Sequence, residues 1–315
     1  MNVTLTRRRL LGLGVTSLAG LGLGFLKAPA PAAEVVTLIG AGDIASGDSP
    51  GALLTAKLIE AIPGTVFANG DLAYESGTLE EFQNYYGATW GRFKDRTRPA
   101  IGNHDYGQGG WEDRDPSLYD PSVYFDYFGE AAGVRHKGWY SYDLGHWHIV
   151  VLNSMYPLLV GDDKQRQWLI KDLQDNIQPN LLSYWHHPVF SSGYHGSDHR
   201  MKWACEELYK YGCSVCITSH DHSYERFSPQ DPDGNYDPYG IRHFMVGTGG
   251  KSVRSASGNL MNNSEVALAD SFGIIKFTLM PESYDWVFIP TNREASWDAG
   301  MCSVSRLAEL HSPRS

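Results

Sequence analysis

Five short polar segments, each placed at or just beyond the end of an apolar, β-rich run, constrain the fold of this 315-residue chain more than any other feature. The apolar runs are Val35–Ile39, Thr65–Ala68, Pro99–Ile101, Leu181–Trp185 and Val215–Thr218. The polar segments are Gly-Asp43, Gly-Asp71-Leu-Ala-Tyr74, Gly-Asn103-His104-Asp105, His186-His187-Pro188 and Ser-His220-Asp221-His222. Such runs are typical of buried strands, and open α/β sheets place binding residues beyond the carboxyl ends of their strands. The pattern predicts one site, assembled from loops that follow separate strands.

The remainder of the chain carries both helical and strand patterns. Apolar periodicity and helix-start signals predict helices at Pro50–Ala61, Leu79–Tyr86, Asp163–Asp175 and Arg200–Tyr211. Further strands are predicted at Trp139–Leu144, His148–Leu152, His243–Val246, Ile274–Leu279 and Tyr284–Ile289. The succession indicates a mixed α/β domain with a large share of β-structure.

Two irregular segments adjoin the polar segments. The stretch between Tyr106 and Lys137 is rich in Gly, Asp, Tyr and Trp and has little periodicity. It either carries specificity or is a packed surface excursion, since long loops beside a site do both. The stretch Gly247-Thr-Gly-Gly250 lacks the Lys-Ser/Thr ending of a phosphate-binding P-loop, so we expect a turn packed close to the site.

The polar segments contain seven side chains suited to a pair of metal ions. These are Asp43, Asp71, Tyr74, Asn103, His186, His220 and His222. Two cations about 3.5–4 Å apart need terminal ligands for each ion and one bridging carboxylate, and this mixture of carboxylate, phenol, amide and imidazole supplies both. Any one of these residues alone would be read as a turn, cap or structural residue. Together they predict a two-metal centre.

With these residues in this order, the chain resembles the calcineurin-like metallophosphoesterases and, more narrowly, the purple acid phosphatases. The resemblance covers most of residues 35–300. Tyr74, three residues after Asp71, narrows it, because purple acid phosphatases use a tyrosinate there to bind Fe(III). A phenol with an ordinary pKa of about 10 needs a strong Lewis acid to stay deprotonated near neutral pH. The resemblance implies a four-layer αββα sandwich, in which two mixed β-sheets are flanked by helices.

The resemblance also implies a division of the ligands. The ferric ligands would be Asp43, Tyr74 and His222 (the ferric side), and the ligands of a divalent Zn, Fe or Mn ion would be Asn103, His186 and His220 (the divalent side). Asp71 would bridge both ions. His186 is chosen over His187 because the first histidine of the family's His-x-Pro pattern is the ligand.

The implied reaction is hydrolysis of a phosphomonoester by a metal-bound hydroxide. His104 and His195 match positions that contact the phosphate and help protonate the leaving group, and we expect Asp105 to orient His104 by a hydrogen bond. Two residues depart from the family pattern. Asp105 stands where the plant and animal purple enzymes usually have Glu, and Ser219 stands where Gly is more usual.

Two other functions are compatible with the same residues. A phosphodiesterase or phospholipase would use the same metal pair, because specificity resides in the loops. A noncatalytic phosphate or metal binder, or a redox protein, would use the metals without hydrolysis. His104 and His195 favour catalysis, since a binder needs no acid–base groups.

The first 33 residues read as an export signal. Arg7, Arg8 and Arg9 precede a glycine-diluted apolar run, and small residues up to Ala33 form a cleavage region, as in twin-arginine signals. The alternative, a membrane anchor, is disfavoured because Leu10–Leu26 is short and weakly apolar for a span. We therefore expect residues 34–315 to form a single catalytic domain that is exported to the periplasm or the medium without stable membrane insertion.

Net charge and cysteine content limit which partners and which cellular compartment we expect. The formal charge is −10, and removing residues 1–33, which carry four positive charges and no acid, takes it to −14. An acidic surface disfavours nucleic acid as a partner and suits a small phosphate ester drawn to a locally positive metal site. The four cysteines permit two disulfides in three pairings, or buried thiols.

Overall fold

The computed structural model describes residues 34–107, 118–176, 178–255 and 258–304. The proposed export signal, residues 1–33, lies outside these ranges and stays a prediction. The strands, numbered in chain order, are β1 Val36–Ala41, β2 Thr65–Asn69, β3 Thr97–Ala100, β4 Tyr140–Leu144, β5 Trp147–Val151, β6 Asn180–Tyr184, β7 Val215–Thr218, β8 Tyr224–Phe227, β9 Arg242–Val246, β10 Ser264–Leu268, β11 Gly273–Leu279, β12 Ser283–Pro290 and β13 Asp298–Ser303.

The helices are mostly short. The α-helices are α1 Gly51–Glu60, α2 Leu79–Glu81, α3 Ser122–Phe128, α4 Tyr156–Leu159, α5 Lys164–Asp175 and α6 Lys202–Lys210. A π-helix at Phe82–Tyr86 continues α2, and 3-10 turns lie at Trp90–Arg96, His104–Tyr106, Gly129–Ala132 and His199–Met201. Among the described residues, no helix has the length and apolar character needed to cross a membrane.

The strands form two mixed sheets. The first has the order β13-β12-β11-β1-β2-β3, and the second has the order β10-β8-β9-β7-β6-β5-β4. In the first sheet, β1, β2 and β3 are parallel neighbours, while β11 runs antiparallel to β1. In the second, β5, β6, β7 and β9 are parallel neighbours. The two sheets with flanking helices confirm the predicted sandwich.

The sheets pack face to face through large aromatic side chains. Phe67 of β2 lies 5.6 Å from Tyr184 of β6, and Phe244 of β9 lies 5.1 Å from Phe277 of β11, measured between ring centroids. A second buried cluster covers the outer face of the second sheet, where α5 and α6 contribute residues such as Leu169. Burial of this apolar surface is the main stabilising contribution to the fold and holds the strand ends in place.

Five of the helices and strands numbered above were not anticipated from the sequence: β8, β10, β13, α3 and the single-turn helix α4. Strands β8, β10 and β13 have no strong apolar alternation, and α3 lies in the segment that was expected to be irregular. Helix α3 buries Tyr124, Phe125 and Phe128. The segment between Tyr106 and Lys137 is thus partly a packed excursion; residues 108–117 lie outside the described ranges.

The cysteines are thiols. Cys205, Cys213 and Cys216 are buried in the second cluster, Cys302 is half-buried, and no disulfide joins them in the part of the chain that the structure describes. Burial raises the pKa of Cys205 and Cys216, so these thiols stay protonated and unreactive. Of the two alternatives, the structure has buried thiols.

Candidate metal centre

The five polar segments all lie beyond strand ends, as the sequence predicts. Asp43, Asp71 and Asn103 come after the parallel strands β1, β2 and β3 of the first sheet. His186 and His220 come after the parallel strands β6 and β7 of the second. Because parallel neighbours end at the same edge of a sheet, each set of side chains is brought together there. The candidate site lies where these two edges meet.

The other two predicted ligands of the ferric side, Asp43 and His222, and the predicted bridge Asp71 converge on the Tyr74 hydroxyl. Its Oη atom lies 2.8 Å from Asp43 Oδ1, 3.0 Å from Asp71 Oδ2 and 3.2 Å from His222 Nε2. His222 Nε2 also lies 3.3 Å from Asp43 Oδ1. All four side chains are buried. Three anionic or potentially anionic oxygens and one imidazole nitrogen therefore share one small volume.

The divalent side is centred on His186. Its Nε2 atom lies 3.2 Å from Asp71 Oδ2 and 3.3 Å from His220 Nδ1. Asp71 Oδ2 therefore contacts side chains of both predicted groups of ligands. Asn103 is buried at the same edge, directly before His104. His187, which was not chosen as a ligand, contacts Ser154 Oγ through Nδ1 at 2.7 Å, and it also lies with His186 and His220 in a group close enough to hold one metal ion.

Hydrogen bonds to the outer nitrogens fix two of the predicted histidine ligands, His186 and His222. His186 Nδ1 lies 3.0 Å from the Asn69 carbonyl oxygen and 2.9 Å from Ser219 Oγ. His222 Nδ1 lies 2.5 Å from Ser252 Oγ. A proton on Nδ1 leaves the Nε2 lone pair of each ring free toward the centre, as metal-binding histidines require.

The two carboxylates are held in a corresponding way. Asp43 Oδ2 accepts a hydrogen bond from the backbone N–H of His220 at 2.8 Å, and Asp71 Oδ1 accepts one from the backbone N–H of His104 at 2.8 Å. Each carboxylate thus uses one oxygen to join two loops and turns the other oxygen toward the centre. The arrangement couples the first sheet to the second through the site itself.

Unusual backbone conformations aim these side chains. Asp43, Asp71 and His220 have φ values of 59°, 53° and 72°, in the left-handed region that non-glycine residues rarely adopt. Such residues cost about 1–3 kcal/mol each and cluster at functional sites. Two glycines that precede predicted ligands are required by close contacts. A Cβ on Gly70, before Asp71, would collide with the His186 ring, and a Cβ on Gly102, before Asn103, would collide with Asp71.

The electrostatics favour positive charge at the centre. Burial alone would raise the pKa of Asp71, but His186 and His104 lower it below its ordinary value. Burial alone would lower the pKa of His186, but Asp71 raises it to about 9. Burial and the Asp43 and Asp71 carboxylates raise the pKa of Tyr74, so its phenol keeps its proton unless a strong Lewis acid displaces it. The donor set therefore suits bound metal cations.

Two histidines lie near this donor set and are more exposed than most of its members. The His104 ring centroid lies 4.3 Å from that of Tyr74, and its Nε2 lies 3.9 Å from Asp71 Oδ2. The His195 ring centroid lies 4.5 Å from that of His220. The two residues predicted to contact the phosphate therefore lie one beside the ferric side and one beside the divalent side.

The prediction that Asp105 orients the His104 ring by a hydrogen bond is wrong. His104 Nδ1 contacts the backbone carbonyl oxygen of Glu75 at 2.6 Å, whereas Asp105 accepts hydrogen bonds from the backbone N–H groups of Leu72 and Gly102, both at 2.9 Å. Burial and the Asp71 charge raise the pKa of Asp105 to about 7. Asp105 joins the loops after β2 and β3 and does not orient the His104 ring.

Sequence reasoning missed several residues around the centre. Asp221 accepts a hydrogen bond from the His195 backbone N–H at 2.7 Å, and its place between two predicted ligands was the only available signal. Lys251 and Arg254 come after Gly247–Gly250, which packs against the site as expected: Gly249 N–H donates to the Gly42 carbonyl at 2.8 Å. No local pattern in the sequence marks these two cations.

Comparisons with known proteins identify the family of the chain. A sequence model of the calcineurin-like phosphoesterase family matches residues 34–224. Purple acid phosphatase 21 from Arabidopsis thaliana is 33% identical over 127 residues, which are 38% of this chain and 29% of that protein. Acid phosphatase type 7 from Homo sapiens is 30% identical over 148 residues, which are 37% of this chain and 34% of that protein. The chain thus aligns with about a third of the length of these curated relatives.

The fold is similar to that of a plant enzyme. The solved structure of purple acid phosphatase PPD1 from yellow lupin, Lupinus luteus, superposes with a TM-score of 0.67 at 22% identity, over 86% of this chain and 54% of that one. The family model spans more than half of the chain and includes all five polar segments. The chain therefore belongs to the calcineurin-like phosphoesterase family, a family of hydrolases, and is similar within it to the purple acid phosphatases.

Proposed function

We propose that this protein hydrolyses phosphomonoesters at a dinuclear centre containing Fe(III) and a divalent Zn, Fe or Mn ion. The observation that carries the proposal is the Tyr74 hydroxyl, which lies within 3.0 Å of both the Asp43 and Asp71 carboxylates and 3.2 Å from His222 Nε2. A phenol oxygen held beside two carboxylate oxygens and an imidazole nitrogen would complete an anionic ligand set if a trivalent ion took the place of its proton. Similarity to proteins named purple acid phosphatase and acid phosphatase supports the same activity.

The chain's own residues would hold the two ions as the resemblance implies. Asp43, Tyr74 and His222 would bind the ferric ion, and Asn103, His186 and His220 would bind the divalent ion, with Asp71 between them. When bound, the ions supply Lewis acidity that activates water and stabilises charge on the phosphoryl oxygens. The backbone N–H bonds to Asp43 and Asp71 fix the ligands before substrate arrives.

The two partly exposed histidines would handle the substrate. His104 is held by the Glu75 carbonyl through Nδ1, which directs its Nε2 atom toward the centre and a bound phosphoryl oxygen. His195 is positioned through its backbone by buried Asp221, and its ring lies beside His220, where it can donate a proton to the departing alcohol. Asp105 is assigned a positioning role only.

We also propose that residues 34–315 act as one catalytic domain and that residues 1–33 direct export through a twin-arginine route. Arg7 and Arg8 carry this proposal, since the twin-arginine pair is the recognised feature of the signal. Amino-terminal sequencing of the exported protein tests it. A first residue near Glu34 is expected, and a retained first segment on a membrane fraction would favour the anchor.

The activity is tested with p-nitrophenyl phosphate and bis(p-nitrophenyl) phosphate, which share a leaving group. We expect kcat/KM for the monoester to exceed that for the diester by at least about tenfold, and a chelator to remove both activities. Reloading with iron and zinc should restore them. A reversed ratio would favour the phosphodiesterase, and phosphate binding without turnover by the reloaded protein would favour the noncatalytic binder.

A further inference from the structure

The loop after β9 carries two cationic side chains near the centre, and their surroundings differ. Lys251 Nζ lies 5.2 Å from the Tyr74 ring centroid and forms ion pairs with Asp48, at 3.3 Å, and with Glu75. These carboxylates neutralise the Lys251 charge. Lys251 therefore lies beside the ferric side with its ammonium group already paired, which makes it a poor candidate to bind an anionic ligand.

Arg254 is also near the centre, and its contacts are of a different kind. Its backbone N–H donates to the His222 carbonyl at 2.8 Å, which ties it to a predicted ligand. Its Nη1 atom lies 3.2 Å from His195 Nε2, and its guanidinium lies 5.7 Å from the Tyr194 ring centroid. Within residues 34–107, 118–176, 178–255 and 258–304, no carboxylate lies within ion-pair distance of this guanidinium.

The location of Arg254 indicates which part of a bound substrate it would contact. The His195 ring packs against His220 and reaches Arg254 through its Nε2 edge. Arg254 therefore lies beside the imidazole proposed to protonate the leaving group. A substituent on the leaving group, close to the ester bond, would come within reach of the guanidinium. Exposed Tyr194 borders the same position and leaves it open to solvent.

We propose that Arg254 forms a subsite for an anionic group carried by the leaving group of the substrate. A guanidinium offers several N–H donors in a plane and binds carboxylates and phosphates through two hydrogen bonds at once. The enzyme would thus prefer phosphate esters or anhydrides with a second anion next to the scissile bond. This inference rests on the proposed phosphatase function and assigns it a substrate class.

The test compares three substrates with different leaving groups in the wild-type protein and in variants of Arg254 and Lys251. Arg254→Gln removes the charge and keeps most of the side-chain length, and Lys251→Gln is the matched control from the same loop. Phenyl phosphate has an uncharged leaving group, 4-carboxyphenyl phosphate adds a carboxylate, and ADP adds a phosphate. For Arg254→Gln we expect kcat/KM to fall about tenfold or more for at least one anionic substrate and less than about threefold for phenyl phosphate.

The controls separate the possible explanations. Lys251→Gln should change all three substrates by the same factor, and Arg254→Lys should recover part of the loss, because the charge remains. A selective loss with ADP alone identifies a phosphate as the ligand, and one with the carboxylate alone identifies a carboxylate. An equal loss for all three substrates would overturn the inference, because Arg254 would then only position His195. Failure of the wild-type protein to hydrolyse any of them would instead overturn the proposed function.

Discussion

Asp71→Asn is expected to lower kcat for phosphomonoester hydrolysis by about a thousandfold or more, because metal-ion catalysis contributes several kcal/mol of transition-state stabilisation. Asp71 Oδ2 lies 3.0 Å from the Tyr74 hydroxyl and 3.2 Å from His186 Nε2, so this carboxylate contacts both groups of proposed ligands and would help to hold both ions. A neutral amide cannot bridge two cations as a carboxylate does. The remaining amide oxygen can still accept the hydrogen bond from the His104 backbone N–H, so the loop should keep its shape.

The measurement is steady-state turnover together with metal content for the wild-type protein and two variants. Asp126→Asn is the control, since Asp126 forms an exposed pair with Arg135 and its substitution should leave turnover within about twofold of wild type. The Asp71→Asn protein should bind less than a full complement of metal and melt near the apo wild-type protein. Full activity in Asp71→Asn would contradict the two-metal assignment.

Asp298→Asn is expected to lower the free energy of unfolding by about 3 kcal/mol, because it breaks a buried ion pair between the two sheets. Asp298 of β13 accepts hydrogen bonds from Arg226 Nε and Tyr224 Oη, both at 2.7 Å, and from Trp286 Nε1 at 2.9 Å. Arg226 and Tyr224 belong to β8 in the second sheet. An amide would place N–H donors against these donors and leave the guanidinium charge only partly compensated.

Urea unfolding at several pH values tests this expectation. Burial alone would raise the pKa of Asp298, but Arg226 and its other donors lower it, so its stabilising effect is complete above the ordinary aspartate pKa of about 3.9. The effect is lost as the pH falls toward the lowered pKa, and the difference between Asp298→Asn and wild type should shrink below about pH 4. A variant as stable as wild type at neutral pH would show that apolar packing alone holds the sheets together.

The centre was predictable because its pattern is local and repeated. Each ligand lies within a few residues of the end of an apolar strand, and parallel strands bring the loops at their carboxyl ends to a common edge. Gly70 and Gly102 are required because a Cβ there would collide with His186 or Asp71, so these two glycines, which precede Asp71 and Asn103, are themselves part of the geometry. The sequence therefore indicated which side chains meet, although it contained no distances.

The residues that were missed depend on contacts between distant segments. His104 is held by the Glu75 carbonyl and not by its neighbour Asp105, because Asp105 is turned inward to the Leu72 and Gly102 amides. Arg254 reaches His195 only because the loop after β9 folds against the loop after β7. A backbone carbonyl as partner, or an arginine in an irregular loop, leaves no periodic signal in the chain.

Helices and strands that the sequence did not predict were missed for the same reason, namely that they depend on contacts with distant segments. Strand β13 is half-exposed at the edge of the first sheet, and its order comes from pairing with β12 more than from its own apolar content. Helix α3 buries three aromatic side chains within a segment that lacks helical start signals. Tertiary packing overrode weak local preference in both cases.

Metal analysis combined with a visible absorption spectrum tests the central claim, an asymmetric pair with Tyr74 on the ferric ion, most directly. The wild-type protein should contain one iron and one divalent ion and show a tyrosinate-to-Fe(III) absorption band. Tyr74→Phe should lose the band while keeping the fold, because only the phenol oxygen is removed. Two divalent ions and no visible band in the wild-type protein would contradict the ferric assignment, although the chain would still belong to the calcineurin-like phosphoesterases.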